Sequence, residues 1–379
     1  MNFTGCKYII VGSGIFGSVL AERITNILNE KVIVIEKRNH IGGNCYSEID
    51  SETGIEYHTY GTHIFHTSNQ EVWNYINRFT GFNSYIHQVL TTYKNKVYQM
   101  PINLETINSF YNINLKPFEV QTFLNEEINK ENIKNPSNFE EKAISLVGRS
   151  LYEAFLKGYT QKQWQCDPKE LPVSILNRLP FRTDYNESYF HDKWQGIPEI
   201  GYNALFNKLL NNQNIKILLN TDFSSIKHLI SPETKIIYGG SIDQYFDYCY
   251  GKLEYRSLKF EKEIIDVSDY QGTSVMNYAE NFIPYTRIHE PKHLHPERNY
   301  VKDKTLIIRE YSVVNENEPY YPINNLKNQQ LYDQYDLLTK DLKNVIFGGR
   351  LGNYKYYDMC HAIENSLNLF KKLKINYKF

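Results

Sequence analysis

The chain has 379 residues, with 42 lysines and arginines against 43 aspartates and glutamates and a formal net charge of −1. Its length permits two or three domains, and its charge excludes a general attraction to nucleic acid or to an anionic membrane. No apolar run is long enough to cross a membrane and no signal-peptide pattern opens the chain. We therefore expect a cytoplasmic protein with no membrane insertion and no nucleic-acid partner. The five cysteines lack C-x-x-C and metal-ligand spacing, which predicts reduced thiols and no metal site.

The first predicted element is a buried strand at residues 8–11 that runs into a glycine turn and then a helix. In the pattern Gly12-x-Gly14-x-x-Gly17, the first glycine permits a tight turn, the second lets a pyrophosphate approach the backbone, and the third lets helix and strand pack closely. The next predicted strand ends at Glu36, whose carboxylate can accept hydrogen bonds from a ribose. Strand, turn, helix and acid in this order predict a bound dinucleotide at the helix N-terminus.

A second glycine pair follows in Ile41-Gly42-Gly43-Asn44. It goes beyond the minimal nicotinamide-binding pattern and resembles the second glycine pair of FAD proteins of the glutathione-reductase type. The predicted fold class is therefore α/β, with an FAD-binding Rossmann-like domain of that type. The predicted cofactor-binding residues are Gly12, Gly14, Gly17, Glu36, Lys37, Gly42, Gly43 and Asn44.

The segment at residues 55–67 contains a His63-x-x-His66 pair. This spacing could serve a metal, but no acidic or cysteine partner lies at ligand spacing, so we predict no metal there. In an FAD protein the segment after the glycine pair commonly returns to the flavin. His63 and His66 are therefore interpreted as neighbours of the flavin ring, with packed loop histidines as the alternative.

The middle of the chain predicts a helical insert and a second sheet. Two antiparallel strands are predicted within 85–97 and successive helices between 104 and 159, followed by a proline-rich loop that carries Arg178 and Arg182. Further strands are predicted at 215–220 and 234–239 in the parallel sheet, at 248–260, 274–278 and 305–311 in the antiparallel sheet, and at 345–347 before Gly348-Gly349-Arg350. Arg350 is predicted to lie near the pyrophosphate, at the start of a C-terminal helix.

These elements predict three discontinuous parts. The FAD-binding domain takes residues 1–79, 197–244 and 330–379, the helical domain takes 104–176 with a substrate lid at its end, and the antiparallel sheet domain takes 80–103, 177–196 and 245–329. The lid is predicted around residues 170–182, where closure would exclude water from the site.

The chemistry that the residues allow is narrow. The chain offers no second G-x-G-x-x-G unit for a nicotinamide, no defensible Ser-His-Asp set and no cysteine pair. Arg178 and Arg287 stand on separate segments, and arginine is suited to bidentate contact with phosphate. The two arginines favour a phosphorylated or nucleotide-linked substrate beside the flavin, with surface ion pairs as the alternative.

The motifs taken together resemble bacterial UDP-galactopyranose mutases along nearly the whole chain. Those motifs are Val11 to Gly14, Ile35 to Asn44, Tyr60 to Thr67, Gly158 to Trp164, Pro284 to Arg287, Glu318 to Pro322 and Gly348 to Leu351.

The resemblance implies a redox-neutral enzyme that converts UDP-galactopyranose to UDP-galactofuranose, with N5 of reduced FAD as the nucleophile at the anomeric carbon. It also implies a homodimer. UDP-N-acetylgalactosamine is a further candidate substrate, since Thr62 departs from the residue expected beside the sugar. The alternatives are a flavin-dependent amine or alcohol oxidoreductase and a non-catalytic flavoprotein that binds a nucleotide sugar.

The resemblance also assigns roles to individual residues. Arg178, on the lid, and Arg287 would bind the diphosphate and act in catalysis with His63 and His66. The implied substrate contacts are Tyr159 on uracil, Trp164 at the lid base, Asn83, Tyr189, Tyr321, Tyr356 and Asp358, and Arg350 would contact the flavin.

Overall fold

The fold is assembled from two large sheets and a helical insert. The computed structural model describes residues 3, 5–178, 181–314 and 318–377, without the side chains at 177–178 and 376–377. The strands, numbered along the chain, are β1 (Tyr8–Val11), β2 (Val32–Ile35), β3 (Ser47–Ile49), β4 (Glu56–His58), β5 (Phe65–Thr67), β6 (Val89–Tyr93), β7 (Lys96–Met100), β8 (Trp194–Gly196), β9 (Ile215–Leu218), β10 (Lys235–Tyr238), β11 (Tyr255–Ile265), β12 (Val275–Tyr278), β13 (Arg287–His289), β14 (Thr305–Val313), β15 (Tyr321–Pro322) and β16 (Val345–Phe347).

The helices lie between and around these strands. They are α1 (Ile15–Leu28), α2 (Gln70–Ile76), α3 (Leu104–Tyr111), α4 (Pro117–Asn129), α5 (Phe139–Val147), α6 (Arg149–Leu151), α7 (Gly158–Trp164), α8 (Gly201–Leu209), α9 (Phe223–Ile226), α10 (Ile242–Tyr245), α11 (Leu326–Thr339), α12 (Gly349–Gly352) and α13 (Met359–Tyr377). A π-helical segment, Tyr152–Lys157, joins α6 to α7. None of the helices that the structure describes has the length and apolar character needed to cross a membrane.

The first sheet is parallel and has the strand order β16-β10-β1-β2-β9. Its inner strands β1, β2 and β10 are buried: Tyr8 and Ile10 of β1 pack with α1 and α13, whereas Ile9 and Val11 pack with Phe223 and its neighbours. Such two-sided burial explains the unbroken apolar runs of these strands. The prediction that β9 and β10 join this sheet is confirmed. All five strands place their carboxyl ends at one edge.

The second sheet has seven strands in the order β15-β11-β14-β13-β12-β6-β7. It is mixed rather than purely antiparallel as predicted, because β12 pairs with β6 in parallel. Alternation within a strand reports which face is buried but not the direction of a neighbour that is distant in sequence. The predicted strand at 248–260 is also displaced: β11 begins at Tyr255, since Tyr248 and Gly251 adopt positive φ angles in a turn.

The helical insert packs its own core against the second sheet. Leu124, Ile144 and Phe155 are buried there together with Tyr98 of β7 and Val275 of β12. After α7, the segment predicted as a proline-rich loop contains two 3₁₀ turns, Pro168–Glu170 and Val173–Arg178. Residues 179–180 and the Arg178 side chain lie outside the described part of this segment.

Gly17 should be required for the contact between α1 and the turn after β1. A Cβ at Gly17 would lie 2.0 Å from the carbonyl oxygen of Gly12, and overpacking of this kind costs about 1–3 kcal/mol. We expect Gly17→Ala to lower the free energy of unfolding by this amount, measured by urea denaturation.

Gly14→Ala is the matched control on the same turn. Its Cβ would lie 3.7 Å from the Cα of Gly43, an ordinary contact, so its stability should stay close to that of the parent. Equal stabilities of the two variants would contradict the close approach at Gly17.

Candidate active site

A cavity of about 740 Å³ opens at the carboxyl edge of the parallel sheet. Gly12 after β1, Glu36 after β2, Gly239 after β10 and Gly349 after β16 all line it. Ligands of open α/β sheets bind outside the carboxyl ends of the strands. The volume lies within the range of sites for small molecules and cofactors. The cavity is therefore the candidate cofactor site.

The two glycine motifs predicted from the sequence meet in this cavity. The backbone N–H of Gly42 donates to the carbonyl of Ser13 at 3.0 Å, and a Cβ at Gly43 would lie only 2.9 Å from the Cα of Gly14. No side chain caps the N-terminus of α1, and its first turn holds no acidic residue. The first N–H groups of α1 are thus available to an anion. This glycine cradle fits a pyrophosphate.

Glu36 is held at the edge of the cradle. Its Oε2 accepts hydrogen bonds from the backbone N–H of Ser13 at 2.9 Å and from the Ser13 hydroxyl at 2.8 Å, and Oε1 accepts from the Arg38 N–H at 3.0 Å. A carboxylate has about four lone-pair directions. Glu36 therefore retains acceptor capacity for a ribose hydroxyl.

Arg38 and Glu318 close the same end of the cavity, and the sequence analysis gave neither a role. The Arg38 guanidinium donates to Asn44 Oδ1 at 3.0 Å and to Glu318 at 2.8 Å, and Lys37 Nζ donates to Glu318 at 3.2 Å. Arg38 also lies 4.0 Å above the Tyr60 ring. One sequence signal pointed to this contact, because Arg38 and Glu318 both lie within the motifs that carry the family resemblance.

The two predicted histidines have different surroundings. His63 lines the cavity, and its Nδ1–H donates to the carbonyl of Gly61 at 2.6 Å. Burial in the cavity wall lowers the pKa of His63 to about 4. His63 is therefore neutral at pH 7 with Nε2 as an acceptor. His66 instead donates from Nδ1 to Asp192 at 2.6 Å and stacks on Phe190 at 3.7 Å between ring centroids.

Arg287 lies on β13 of the second sheet and contacts two polar side chains. Its Nε lies 3.3 Å from Glu310 Oε1, and Nη2 donates a hydrogen bond to the Tyr159 hydroxyl. Glu310 is 4% exposed. Burial favours its neutral form, but Arg287 and His289 outweigh this effect and hold the pKa of Glu310 below its usual value. The structure thus brings the predicted Arg287 and Tyr159 together over a buried carboxylate.

A hydrogen-bond relay continues from Glu310 to Thr62. His289 Nε2 lies 3.0 Å from Glu310, and His289 Nδ1 lies 2.7 Å from the Thr62 hydroxyl. Because an ionised carboxylate only accepts, Nε2 carries the proton and Nδ1 accepts the proton of Thr62. Burial lowers the pKa of His289, which keeps the ring neutral. Strand alternation, which places 287 and 289 on one face of β13, was the available sequence signal.

Arg350 is bound between two aromatic segments. Its guanidinium donates to the carbonyls of Tyr320 at 3.2 Å and Tyr357 at 2.7 Å. It also lies 5.5 Å from the Tyr321 ring and 4.9 Å from the Tyr356 ring, and these two rings stack at 5.4 Å. Three of the predicted site residues therefore form one cluster at the cavity wall.

The remaining predicted residues are dispersed. The Asn83 side chain donates to the carbonyl of Leu294 at 2.9 Å and accepts from the Ile197 N–H at 2.9 Å, so it holds backbone segments together. Trp164 and Tyr189 pack against the core of the helical insert, and Asp358 lines the cavity. The Arg178 side chain lies outside the described residues.

Two family models match the chain. One is described as UDP-galactopyranose mutase and matches residues 154–356, and one is described as an NAD(P)-binding Rossmann-like domain and matches residues 10–79. The second match covers the end of β1, the glycine turn and β2, as the dinucleotide-binding prediction requires. The resemblance noted in the sequence is confirmed by the first match.

Curated relatives cover almost the whole chain. The dTDP-fucopyranose mutase of Escherichia coli is 40% identical over 95% of this chain and 96% of its own. The probable UDP-galactopyranose mutase of Klebsiella pneumoniae is also 40% identical, over 95% of this chain and 92% of its own. The UDP-galactopyranose mutase of Mycoplasma genitalium is 34% identical over 98% of this chain.

Solved structures share the fold. A crystal structure of reduced UDP-galactopyranose mutase superposes with a TM-score of 0.73 at 16% identity, over 97% of this chain and 95% of that one. A putative protoporphyrinogen oxidase from Exiguobacterium sp. 255-15 superposes with a TM-score of 0.64 at 10% identity. At these identities the likeness concerns the α/β architecture alone. The family model and the full-length relatives go further, and on their evidence this chain belongs to the UDP-galactopyranose mutase family.

Proposed function

We propose that this protein is a flavin-dependent mutase that interconverts UDP-galactopyranose and UDP-galactofuranose without net oxidation. The observation that carries the proposal is the Arg287, Tyr159 and Glu310 cluster, which provides a cation for a diphosphate and an aromatic ring for a base. A guanidinium binds carboxylates as well as phosphates, so family membership decides between the two. Family membership supports the same reaction.

FAD is the proposed cofactor, in its reduced form. The pyrophosphate would lie on Gly12, Gly14 and Gly43 at the N-terminus of α1, and Glu36 would bind the ribose. Arg350 would lie close to the flavin side. When bound and reduced, FAD supplies the nucleophile for the anomeric carbon.

The protein's part in the reaction is to stabilise charge and to orient the substrate. The diphosphate gains negative charge as the glycosidic bond breaks, and Arg287 would offset that charge in a site with little water. Glu310 lies on the Nε side of the guanidinium as its ion-pair partner, which leaves other N–H groups for phosphate oxygens. Tyr159 would stack on the uracil, and Arg178 would supply a second cation from the lid.

The sugar remains the open part of the proposal. Two relatives of equal identity bear the names dTDP-fucopyranose mutase and probable UDP-galactopyranose mutase, so overall similarity does not separate these sugars. We propose UDP-galactose as the substrate, with UDP-N-acetylgalactosamine as a second one. A homodimer in the cytoplasm is the proposed state of the enzyme, on the resemblance alone.

Conversion of UDP-galactopyranose is the direct test. The dithionite-reduced protein, incubated without oxygen, should produce a UDP-sugar isomer of equal mass, separated by anion-exchange chromatography. UDP-N-acetylgalactosamine and dTDP-fucopyranose are tested alongside. UDP binding without any isomer from the three sugars would contradict the mutase proposal, and substrate-dependent oxygen consumption by the oxidised protein would favour the oxidoreductase instead.

Arg287→Ala should lower kcat by about 10²- to 10³-fold, since loss of one preorganised charge donor has effects of this size. The variant should retain FAD, measured by its absorbance, because Arg287 is not among the residues that line the cofactor cavity. Arg178→Ala is expected to behave in the same way.

Arg149→Ala is the control for this pair. Arg149 forms an ion pair with Glu131 at 2.6 Å in the helical insert, and its loss should leave turnover unchanged. Parent-like turnover of Arg287→Ala would remove Arg287 from the proposed role.

His63 should contribute to acid sensitivity of the fold. Its pKa of about 4 lies below the ordinary value of 6.5, so between these pH values the unfolded chain binds more protons than the folded one. Stability is therefore lost as the pH falls from about 6.5 to about 4, by an amount on the order of 2 kcal/mol from this group.

His63→Asn keeps a donor near the Gly61 carbonyl and removes the titration, so its unfolding free energy should fall less steeply over this range in urea denaturation. The exposed His228 provides the control substitution, His228→Asn. Identical pH slopes for His63→Asn and the parent would show that His63 does not titrate as stated.

A further inference from the structure

Lys162 of α7 is surrounded by main-chain oxygens. Its Nζ donates hydrogen bonds to the carbonyls of Tyr278 at 2.6 Å, Glu280 at 3.0 Å, Ile283 at 3.1 Å and Tyr285 at 3.0 Å. An ammonium has three protons, so four acceptors share them. Burial lowers the pKa of Lys162 only to about 8, and the amine is therefore still charged at neutral pH. A partly buried cation thus contacts four carbonyl dipoles.

The segment that carries these carbonyls lies directly before Arg287. Tyr278 is the last residue of β12, residues 279–286 form the connection to β13, and Arg287 is the first residue of β13. Lys162 stands three residues after Tyr159, on the same side of α7. The lysine therefore joins the helix that carries Tyr159 to the connection that precedes Arg287. The hydrogen bond between Arg287 and Tyr159 lies at the other end of this junction.

The helix and the connection are also in direct backbone contact. A Cβ at Gly158 would lie 2.3 Å from the carbonyl oxygen of Ala279, and the Asn281 side chain donates to Gln161 at 2.7 Å. Loss of the ammonium would leave four carbonyls without this donor, and a carbonyl shielded from water is destabilising when it loses its hydrogen bond. The connection would then rearrange, and Arg287 would move with it.

We infer that Lys162 is a positioning residue whose ammonium acts as an internal cation and sets Arg287 against Tyr159 at the nucleotide end of the site. The inference rests on the proposed function, because one of its tests measures turnover of UDP-galactopyranose. Backbone carbonyls are also the ligands that replace the water of a bound potassium ion. A truncated side chain at this position therefore creates a cage that a small free cation can enter.

The test is cation rescue of Lys162→Ala. The FAD-loaded variant should show a KM for UDP-galactopyranose raised about tenfold or more, since small misplacements of binding groups have large effects. Ammonium or potassium chloride should return KM towards the parent value. Tetramethylammonium chloride at the same ionic strength is too large for the cage and should not. The parent should respond equally to all three salts.

Two further variants serve as controls. Lys162→Met fills the space without a charge, so its KM should stay raised in every salt. Lys157→Ala removes an exposed lysine near the same helix, which pairs with Glu153 at 3.7 Å, and should leave KM unchanged. Two results would overturn the inference. One is a parent-like KM for Lys162→Ala. The other is a raised KM that no small cation lowers in folded Lys162→Ala, so that this variant behaves like Lys162→Met.

Calorimetric binding of UDP keeps this test separate from that of the proposed function. UDP affinity should weaken in Lys162→Ala and recover with ammonium, whether or not the parent turns over. A parent that binds UDP without converting the sugar would remove the mutase proposal only. Unchanged UDP affinity in Lys162→Ala would remove the role of Lys162 only.

Discussion

The polar half of the site depends on one buried anion, the carboxylate of Glu310. A carboxylate that is 4% exposed is stable only with charged and hydrogen-bonded partners. Arg287 and His289 supply them from β13, opposite Glu310 on β14. The guanidinium direction, the histidine tautomer and the Thr62 hydroxyl all follow from where that charge lies. Loss of the anion would free all three groups at once.

The cofactor end could be predicted from the sequence because its constraints are local. A strand, a turn and a helix lie within one short segment, and Gly17 is required by an atom only five residues away, the Gly12 carbonyl oxygen. The apolar run of β10 likewise identified a buried parallel strand, because burial on both faces leaves no polar alternation. The strand β9 also joins this sheet, but it lies at the edge with Lys216 exposed. Each of these signals can be recognised without knowledge of any distant partner.

Several contacts in the rest of the site could not be predicted, because they join positions that are far apart in the chain. The parallel pairing of β12 with β6, the contact of Arg38 with Glu318 and the relay through His289 all need the assembled sheets. Lys162 is the strongest case. Four carbonyls bind it, and a carbonyl is present at every residue, so no residue type in the sequence marks the cage.

Binding of the nucleotide and discrimination between sugars involve free energies of different size. In the proposed function, the base and diphosphate would be bound by a charge, an aromatic ring and a packed junction. Discrimination between sugars needs only a difference of one hydrogen bond or a few methyl groups, which is worth about 1–3 kcal/mol. Thr62 shows how few atoms are involved: its proton is committed to His289, so it offers any neighbour only lone pairs. A difference of this size needs only a few atoms, so two relatives with differently named sugars can share the same 40% identity with this protein.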